Sequence, residues 1–142
     1  MKISTRGRYA IRVMIDLAEH GEDGYIPLAD IAKRQEISEK YLEAIVASLV
    51  KADMLVGLRG KKGGYRLTRR PADYTLYDIL RITEGSFAPV SCLEAGSITC
   101  PRAAICKTVG VWSGFQELVV NYFKNITLDH LLGQRDCFDY VI

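Results

Sequence analysis

The chain has 142 residues, of which 49% are hydrophobic, and a formal net charge of +2. This length can bury one good core with an appendage, and no apolar run is long enough to span a membrane. Arg12 and Asp16 interrupt the apolar part of the basic N-terminus, so we predict no secretory signal peptide and a cytoplasmic location. Thiols stay reduced there, which favours a metal or redox role for clustered cysteines over a disulfide framework.

The charge is divided unevenly along the chain. Residues 1–70 contain 14 Lys and Arg against 9 Asp and Glu, whereas residues 71–142 contain 5 against 8. The balance is therefore +5 in the first half and −3 in the second. This distribution suggests an anionic partner for the first half alone, although an ordinary soluble surface is also consistent with it.

Three helices are predicted in the first half. Either Ser4 or Thr5 can cap the first helix, and Pro27 suits the first turn of a short second helix. Ser38 can cap a longer third helix over residues 39–55. The side chains predicted to be buried are Tyr9, Val13, Met14 and Leu17 on the first helix, Leu28, Ile31 and Ala32 on the second, and Leu42, Ile45, Val46 and Leu49 on the third. A short helix, a tight turn and a longer capped helix indicate a helix-turn-helix.

The segment LVGLRGKKGGYRL after the third helix predicts a β-hairpin with a glycine-rich turn. Its turn carries the cations Arg59, Lys61 and Lys62. A hairpin directly after a helix-turn-helix is a wing, and Lys and Arg on its tip suit phosphates or a narrow minor groove. An ordinary surface hairpin is the alternative, and the position after a Ser-capped helix in a basic half favours the wing.

The N-terminal end of the third helix is the part expected to enter the major groove of DNA. Lys40 could meet a phosphate or a guanine, and Glu43 could accept a hydrogen bond from a cytosine amino group. For Tyr41, a phosphate contact and a place in the core are equally good interpretations. Ser38 would cap the helix, and the neighbouring backbone amides could hold a phosphate.

The second half adds a dimerisation element. Thr75 and Asp78 are placed to form a capping box, and a long helix is predicted over residues 109–126, followed by a short helix that Thr127 would cap. The long helix repeats apolar side chains at spacings of 3, 4, 3 and 4, namely Trp112, Phe115, Val119, Tyr122 and Ile126. We predict that this helix forms a homodimer rather than only closing the core, and a two-fold dimer would match palindromic DNA.

Between these helices, Cys92, Cys100 and Cys106 follow the pattern C-x7-C-x5-C in a segment without helical or strand periodicity. Soft thiolates select zinc, iron–sulfur clusters or copper(I). Zinc sites usually pair their cysteines more closely, as C-x2–4-C. The spacing therefore favours an iron–sulfur cluster over zinc, with a redox-active thiol as the third alternative.

Four stretches, MKISTRGRYAIRVMIDLA, PLADIAKRQEISEKYLEAI, LRGKKGGY and NITLDHLL, resemble the IscR-type winged-helix repressors, which are bacterial regulators of iron–sulfur assembly, nitrosative stress and cysteine metabolism. The resemblance covers nearly the whole chain and implies a homodimer that binds double-stranded DNA. In many members of that family three cysteines in a loop before the dimer helix hold a cluster, and Cys92, Cys100 and Cys106 match them in order and placement. The family's DNA-reading positions are occupied here by Ser38, Lys40, Tyr41, Glu43 and Arg59.

The sequence departs from the family pattern at the cluster ligands. The first gap between cysteines is longer than in the best-known members, and Val109 stands where they have a ligating histidine. Other branches take an acidic ligand from the first helix of the partner subunit, and the matching positions in this chain are Arg8 and Arg12. The fourth ligand of a 2Fe–2S or 4Fe–4S cluster is therefore unassigned. Its candidates are His20, His130 and Cys137.

The C-terminal sequence FDYVI suggests a second kind of partner. It resembles the isoleucine tails of serine acetyltransferase, which dock in the active site of cysteine synthase, so Tyr140 and Ile142 would bind that enzyme. Packing of the tail on the long helix or on the partner subunit is the alternative. In this second hypothesis the protein regulates cysteine metabolism without a cluster, through a complex with the synthase.

The predicted fold is mainly α with a small β-hairpin wing, a winged helix-turn-helix followed by a long dimerisation helix. We divide it into a DNA-binding domain at residues 1–84, a cysteine loop at 85–107, and the dimerisation helix and tail at 108–142. No Ser-His-Asp set, phosphate loop or pair of catalytic carboxylates occurs, so an enzyme is not predicted. The expected function is transcriptional regulation.

Overall fold

The helices of the first half begin where the sequence predicts. The structure is a computed structural model that describes residues 1–133. Ser4 Oγ accepts a hydrogen bond from the Gly7 amide at 3.0 Å, and Ser38 Oγ accepts one from the Tyr41 amide at 3.2 Å, so both predicted N-caps are confirmed. The three helices are α1 (Thr5–His20), α2 (Leu28–Gln35) and α3 (Glu39–Lys51).

Helix α3 ends four residues before the end predicted for it, so that part of the prediction is wrong. Asp53 adopts a φ of 58°, in the left-handed region, and the Met54 amide donates to the Leu49 carbonyl at 3.0 Å. A left-handed residue followed by an amide that donates to a carbonyl five residues earlier is typical of a helix C-terminus. The Thr68 hydroxyl also donates to the Asp53 carbonyl at 2.8 Å, so the following hairpin holds the end of α3.

The predicted hairpin is present and is tied to the connection between α1 and α2. Strands β1 (Leu55–Leu58) and β2 (Gly64–Leu67) are antiparallel. The amide of Ile26 donates to the carbonyl of Tyr65 at 2.9 Å, and the reverse bond has the same length. Gly64 has a φ of 153°, and a side chain there would collide with the Ile26 carbonyl. The base of the hairpin is therefore fixed, and Gly64 is required for this close approach.

Three helices form the second half. Thr75 Oγ1 accepts from the Asp78 amide at 3.1 Å and the Asp78 carboxylate accepts from the Thr75 amide at 3.3 Å, so the predicted capping box is confirmed. The amide of Leu128 donates to the Tyr74 carbonyl at 2.9 Å. This bond places the start of the last of these helices beside the start of the helix that Thr75 caps. The helices are α4 (Leu76–Glu84), α5 (Val109–Lys124) and α6 (Leu128–Gly133).

Helix α1 is the centre of the main core and packs against α2, α3, α4, α6 and β2. Its Val13, Met14 and Leu17 side chains are fully buried, as predicted, whereas Tyr9 is only partly buried. Leu42, Ile45, Val46 and Leu49 of α3 are also buried. The three predicted apolar faces therefore meet in one core, which determines how α3 is rotated about its axis.

A second, smaller apolar cluster joins α5 to α4. Its buried members are Leu80, Phe87 and Val119, and Phe123 packs against it. This cluster holds only one side of α5. Within residues 1–133 no helix is both long enough and apolar enough to cross a bilayer.

Candidate nucleic-acid interface and cysteine segment

The predicted nucleic-acid residues of α3 lie on its exposed face. Burial of the opposite face leaves Ser38, Lys40, Tyr41 and Glu43 all exposed to solvent. They occupy the N-terminal end of α3, which begins directly after the turn from α2. The structure therefore places these four side chains together on one accessible surface.

Tyr41 is neither a core residue nor a free one. Its side chain is 42% exposed, and its ring lies edge-on against Tyr9 of α1, with 5.7 Å between ring centroids and an interplanar angle of 87°. Edge-to-face contacts of this kind favour one relative orientation of the two rings. Tyr41 is thus partly exposed, with its ring held against α1.

The tip of the hairpin carries the three predicted cations. Arg59, Lys61 and Lys62 are all exposed. The chain reverses through Gly60, which has a φ of 110°, and the Gly63 amide donates to its carbonyl at 3.0 Å. A rigid base and a glycine-hinged tip thus present three positive charges to solvent.

An open cleft of about 650 Å³ lies between α3 and the hairpin. Its walls are formed by the start of α2, the outer side of α3 and the inner side of the hairpin, including Leu28, Val50, Leu58, Arg59 and Tyr65. Val50 and Leu58 are 37% and 49% exposed, which leaves apolar surface in the cleft. Helix α3 and the hairpin are therefore the two sides of one concave surface with cations at its rim.

The cysteine segment between α4 and α5 contains two short 3-10 turns, Ser91–Leu93 and Ala103–Ile105. Buried Leu93 anchors it, while Cys92, Cys100 and Cys106 are each partly exposed and not disulfide-bonded. The Thr99 amide donates to the Cys92 carbonyl at 3.1 Å, which brings the backbone before Cys100 back to Cys92. Cys106 follows the second 3-10 turn.

Cys106 has surroundings that favour the thiolate form. The Thr108 hydroxyl lies 3.4 Å from its sulfur, and this hydrogen bond, together with backbone amides of Thr108 and Val109, lowers the pKa of Cys106. The thiolate is the form of cysteine that binds metals and attacks electrophiles. Cys106 is therefore suited to either role.

The donor chemistry of the segment fits a soft metal ion or an iron–sulfur cluster, because it offers three accessible thiols. Its arrangement does not gather those donors, since residues 1–133 contain no group of three or more His, Cys, Asp or Glu side chains that could hold a metal ion. Ligation by all three cysteines would therefore require the segment to rearrange around the metal.

Two of the candidate fourth ligands already have other partners. His20 Nδ1 lies 2.8 Å from the Asp16 carbonyl in α1, and His130 Nδ1 accepts from the Thr127 amide at 3.3 Å at the start of α6. The third candidate, Cys137, lies outside the described residues, as do Tyr140 and Ile142.

The α5 helix divides its apolar side chains between two faces. Val119 is buried against α4, whereas Trp112, Phe115 and Tyr122 of the predicted seam are 40%, 43% and 63% exposed. Leu118, beside them, is 66% exposed. A helix that packs on one side and exposes large apolar side chains on the other has the character of an interface.

The sequence did not predict a buried polar network between α1 and the end of α2. Asp16 of α1 is fully buried, and its carboxylate accepts hydrogen bonds from Arg34 and Gln35 at the end of α2. The signal was present, because an acidic residue interrupts an otherwise apolar helix. Its partners could not be identified without knowing how α1 and α2 pack.

The sequence profile of the Rrf2 family, described as iron-dependent transcriptional regulators, matches residues 3–134. Protein rrf2 of Nitratidesulfovibrio vulgaris is 36% identical over 132 residues, which cover 93% of this chain and 87% of that protein. The HTH-type transcriptional regulator IscR of Photobacterium profundum is 35% identical, over 96% of this chain and 78% of the relative.

A solved structure shows the same fold. The structure of CymR (YrzC), described as the global cysteine regulator of B. subtilis, superimposes with a TM-score of 0.79 and is 35% identical. The match covers 96% of this chain and 99% of that one. The winged-helix architecture and the connection of its elements are therefore shared with a regulator of known structure.

Proposed function

Because this chain belongs to the Rrf2 family of DNA-binding transcriptional regulators, we propose that it reads double-stranded DNA as a homodimer, with α3 in the major groove and the hairpin as a wing. The observation that carries this proposal is the concave surface between α3 and the hairpin, which is rimmed by cations. We assign DNA binding to residues 1–84, sensing to 85–107 and dimerisation to 108–142.

Each exposed residue at the N-terminal end of α3 and at the tip of the hairpin has a role that its chemistry supports. Lys40, Lys61 and Lys62 would contact phosphates, because an ammonium group is a flexible point charge. Glu43 would accept a hydrogen bond from a cytosine amino group, and Arg59 would enter the minor groove or bind a base. Ser38 and Tyr41, both at the start of α3, would contact the backbone and position the helix.

The test is selection of duplex DNA from a random pool by the full-length protein, followed by affinity measurement at several salt concentrations. We expect enrichment of a palindromic sequence, because a two-fold dimer presents two identical reading heads. Enrichment of no sequence, with binding that depends on salt alone, would contradict the proposed reading function.

We further propose that Cys92, Cys100 and Cys106 hold a 2Fe–2S or 4Fe–4S cluster. Four observations support this assignment: three accessible thiols in one segment, a pKa of Cys106 that is lowered from its ordinary value, the description of the family as iron-dependent, and the relatives named IscR. A bound cluster would supply a redox-sensitive group whose presence orders the segment between α4 and α5. The chain's own contribution is the three thiolates of this one segment.

Anaerobic purification with iron, sulfide and zinc assays tests the cluster directly. We expect iron and acid-labile sulfide in equal amounts together with visible absorption, and a change in DNA affinity when the cluster is removed. Stoichiometric zinc without sulfide in anaerobic protein would contradict the assignment.

The similarity to CymR favours a second candidate function, regulation of cysteine metabolism without a cluster. In that case Tyr140 and Ile142 would dock in cysteine synthase, where the terminal carboxylate would take the place of the substrate carboxylate. Calorimetry of the full-length and Ile142-deleted proteins against cysteine synthase from the same organism tests this. Binding by the full-length protein alone would support it, and equal heats or no binding by either would contradict it.

A further inference from the structure

Among the side chains whose burial the structure describes, Asp16 is the one charged group that is fully buried. Its carboxylate receives two hydrogen bonds from the guanidinium of Arg34, from Nη2 to Oδ1 at 2.7 Å and from Nε to Oδ2 at 3.0 Å. The Gln35 amide nitrogen donates to Oδ2 at 3.0 Å. Both oxygens are therefore satisfied, and the two-pronged contact with Arg34 fixes direction as well as distance.

The partners of Asp16 stand immediately before the turn of the helix-turn-helix. Arg34 and Gln35 are the last two residues of α2. Glu36 follows with a φ of 54°, a left-handed conformation, and Ser38 caps α3 two residues later. The direction in which α3 leaves α2 thus depends on the last turn of α2, which Asp16 holds.

The same face of α1 also reaches α3 itself. Arg12, one turn before Asp16, donates from Nε to Gln35 Oε1 at 3.0 Å and from Nη2 to the Gln35 carbonyl. Its guanidinium lies 5.2 Å from the centre of the Tyr9 ring, and Tyr9 contacts Tyr41 edge-on. Residues 9, 12 and 16 are spaced by three and four, so they form one continuous row on α1.

An ion pair in the interior is a weak source of net stability, because removing both charges from water offsets their attraction. Its geometry is nevertheless strict, since a misplaced partner leaves a buried charge unpaired. Reading of base edges requires side chains to be placed within about half an ångström. A directional contact just before α3 is suited to provide that placement.

We propose that Asp16 is a positioning residue for DNA reading, which with Arg12 fixes the orientation of α3 relative to α1 through Arg34, Gln35 and Tyr9. This inference rests on the proposed assignment of α3 as the reading helix. It predicts that the network contributes to discrimination between sequences and not only to stability.

The experiment compares Asp16→Asn with the wild type on two duplexes of equal length, the sequence selected by the wild-type protein and an unrelated one. Asparagine keeps the shape but loses the charge that holds the Arg34 fork. We expect affinity for the selected duplex to fall about 10-fold, the scale of one lost base contact, with unchanged affinity for the unrelated duplex. A purely structural role would lower the folded fraction and reduce both affinities by the same factor.

Arg12→Gln provides a second variant in case Asp16→Asn does not fold, because Arg12 is partly exposed and its loss leaves no buried charge. It should reduce the ratio of specific to non-specific affinity in the same direction. Asp73→Asn is the matched control, since it breaks the Arg70–Asp73 pair, exposed and outside this network, and should leave the ratio unchanged.

The outcomes separate the two proposals. A wild-type protein that selects no sequence overturns the reading function itself. The positioning role alone is overturned if the wild-type protein does select a sequence and a folded Asp16→Asn or Arg12→Gln protein keeps the wild-type ratio of specific to non-specific affinity.

Discussion

At the scale of single residues, the wing contains cations with different expected tasks. Arg59 stands where the first strand turns into the glycine-rich tip, whereas Lys61 lies within the tip. The planar guanidinium suits a base or a narrow groove, and the ammonium suits any phosphate. Substitutions at the two positions should therefore have distinguishable effects on DNA binding.

We expect Arg59→Ala to lose about 1–3 kcal/mol of binding free energy on the selected duplex, with a smaller loss on unrelated DNA. Lys61→Ala should weaken all duplexes alike and reduce the salt dependence of log Kd by about one unit. Fluorescence anisotropy over a range of salt concentrations measures both quantities. Arg81→Ala on α4 is the control, and full operator affinity in Arg59→Ala would show that the wing is assigned wrongly.

The buried carboxylate of Asp16 predicts a dependence of stability on acid. Burial alone would raise its pKa, but the hydrogen bonds from Arg34 and Gln35 and the charge of Arg34 outweigh burial, so the pKa of Asp16 lies below its ordinary value of 3.8. A carboxyl with a lowered pKa in the folded state stabilises the fold at pH values above its unfolded pKa. That contribution is lost as the pH falls below about 3.8 and passes through the pKa that Asp16 has in the folded protein.

Urea unfolding between pH 3 and pH 7 checks this sign. The free energy of unfolding of the wild type should fall as the pH drops from 5 to 3, and part of that slope should be absent in Asp16→Asn. His20, the other titratable group beside Asp16, is present in both proteins, so the difference between their slopes reports on Asp16 itself. Identical slopes in the two proteins would show that Asp16 does not lose its proton preferentially in the folded state.

At the scale of elements, the last turn of α4, just before the cysteine segment, is joined closely to the start of α1. The Glu84 carboxylate, in the last turn of α4, accepts from the Ser4 hydroxyl at 2.6 Å. A Cβ atom at Gly7 would collide with that carboxylate, so glycine lets the Glu84 side chain take this position against the start of α1. The start of α1 and the end of α4 are therefore held together, directly before the cysteine segment.

The cysteine segment gives the prediction at this scale. Replacement of Cys92, Cys100 or Cys106 by Ala should abolish the visible absorption of anaerobically purified protein, because each would supply one of the thiolate ligands. Cys137→Ala is the matched control and should retain the absorption. A chromophore that survives any of the three loop substitutions would contradict that cysteine's assignment.

At the scale of the whole molecule, α5 has an outward apolar face that this chain does not cover within residues 1–133. Phe115, Leu118 and Tyr122 lie along it at helical spacing. A second copy of the chain, related by a two-fold axis, could bury this face against itself. Dimerisation would also place two α3 helices on one DNA duplex.

We therefore expect Leu118→Asp to produce a folded monomer with much weaker binding to palindromic DNA. The side chain is 66% exposed, so the substitution should leave the fold of the subunit intact while a charge opposes burial of the face. Sedimentation velocity and circular dichroism measure the two properties. Glu117→Gln, an exposed neighbour, is the control, and a dimeric Leu118→Asp protein would place the interface elsewhere.

The sequence by itself determined the features that depend on neighbouring residues. The caps at Ser4, Ser38 and Thr75 were predictable because each side chain bonds the amide three positions further along the chain. The hairpin followed from its glycines, and the buried faces followed from helical periodicity. These local rules were sufficient for the winged helix-turn-helix.

Only the tertiary structure decided the features that depend on distant parts of the chain. The end of α3 depends on Thr68 of the hairpin region, and the placement of Tyr41 depends on Tyr9 of α1. The role of Asp16 required α2 to be placed beside α1, since its partners are 18 and 19 residues away. The division of α5 into a buried and an exposed face likewise depended on where α4 lies, because periodicity identifies apolar side chains but not the surface that covers each one.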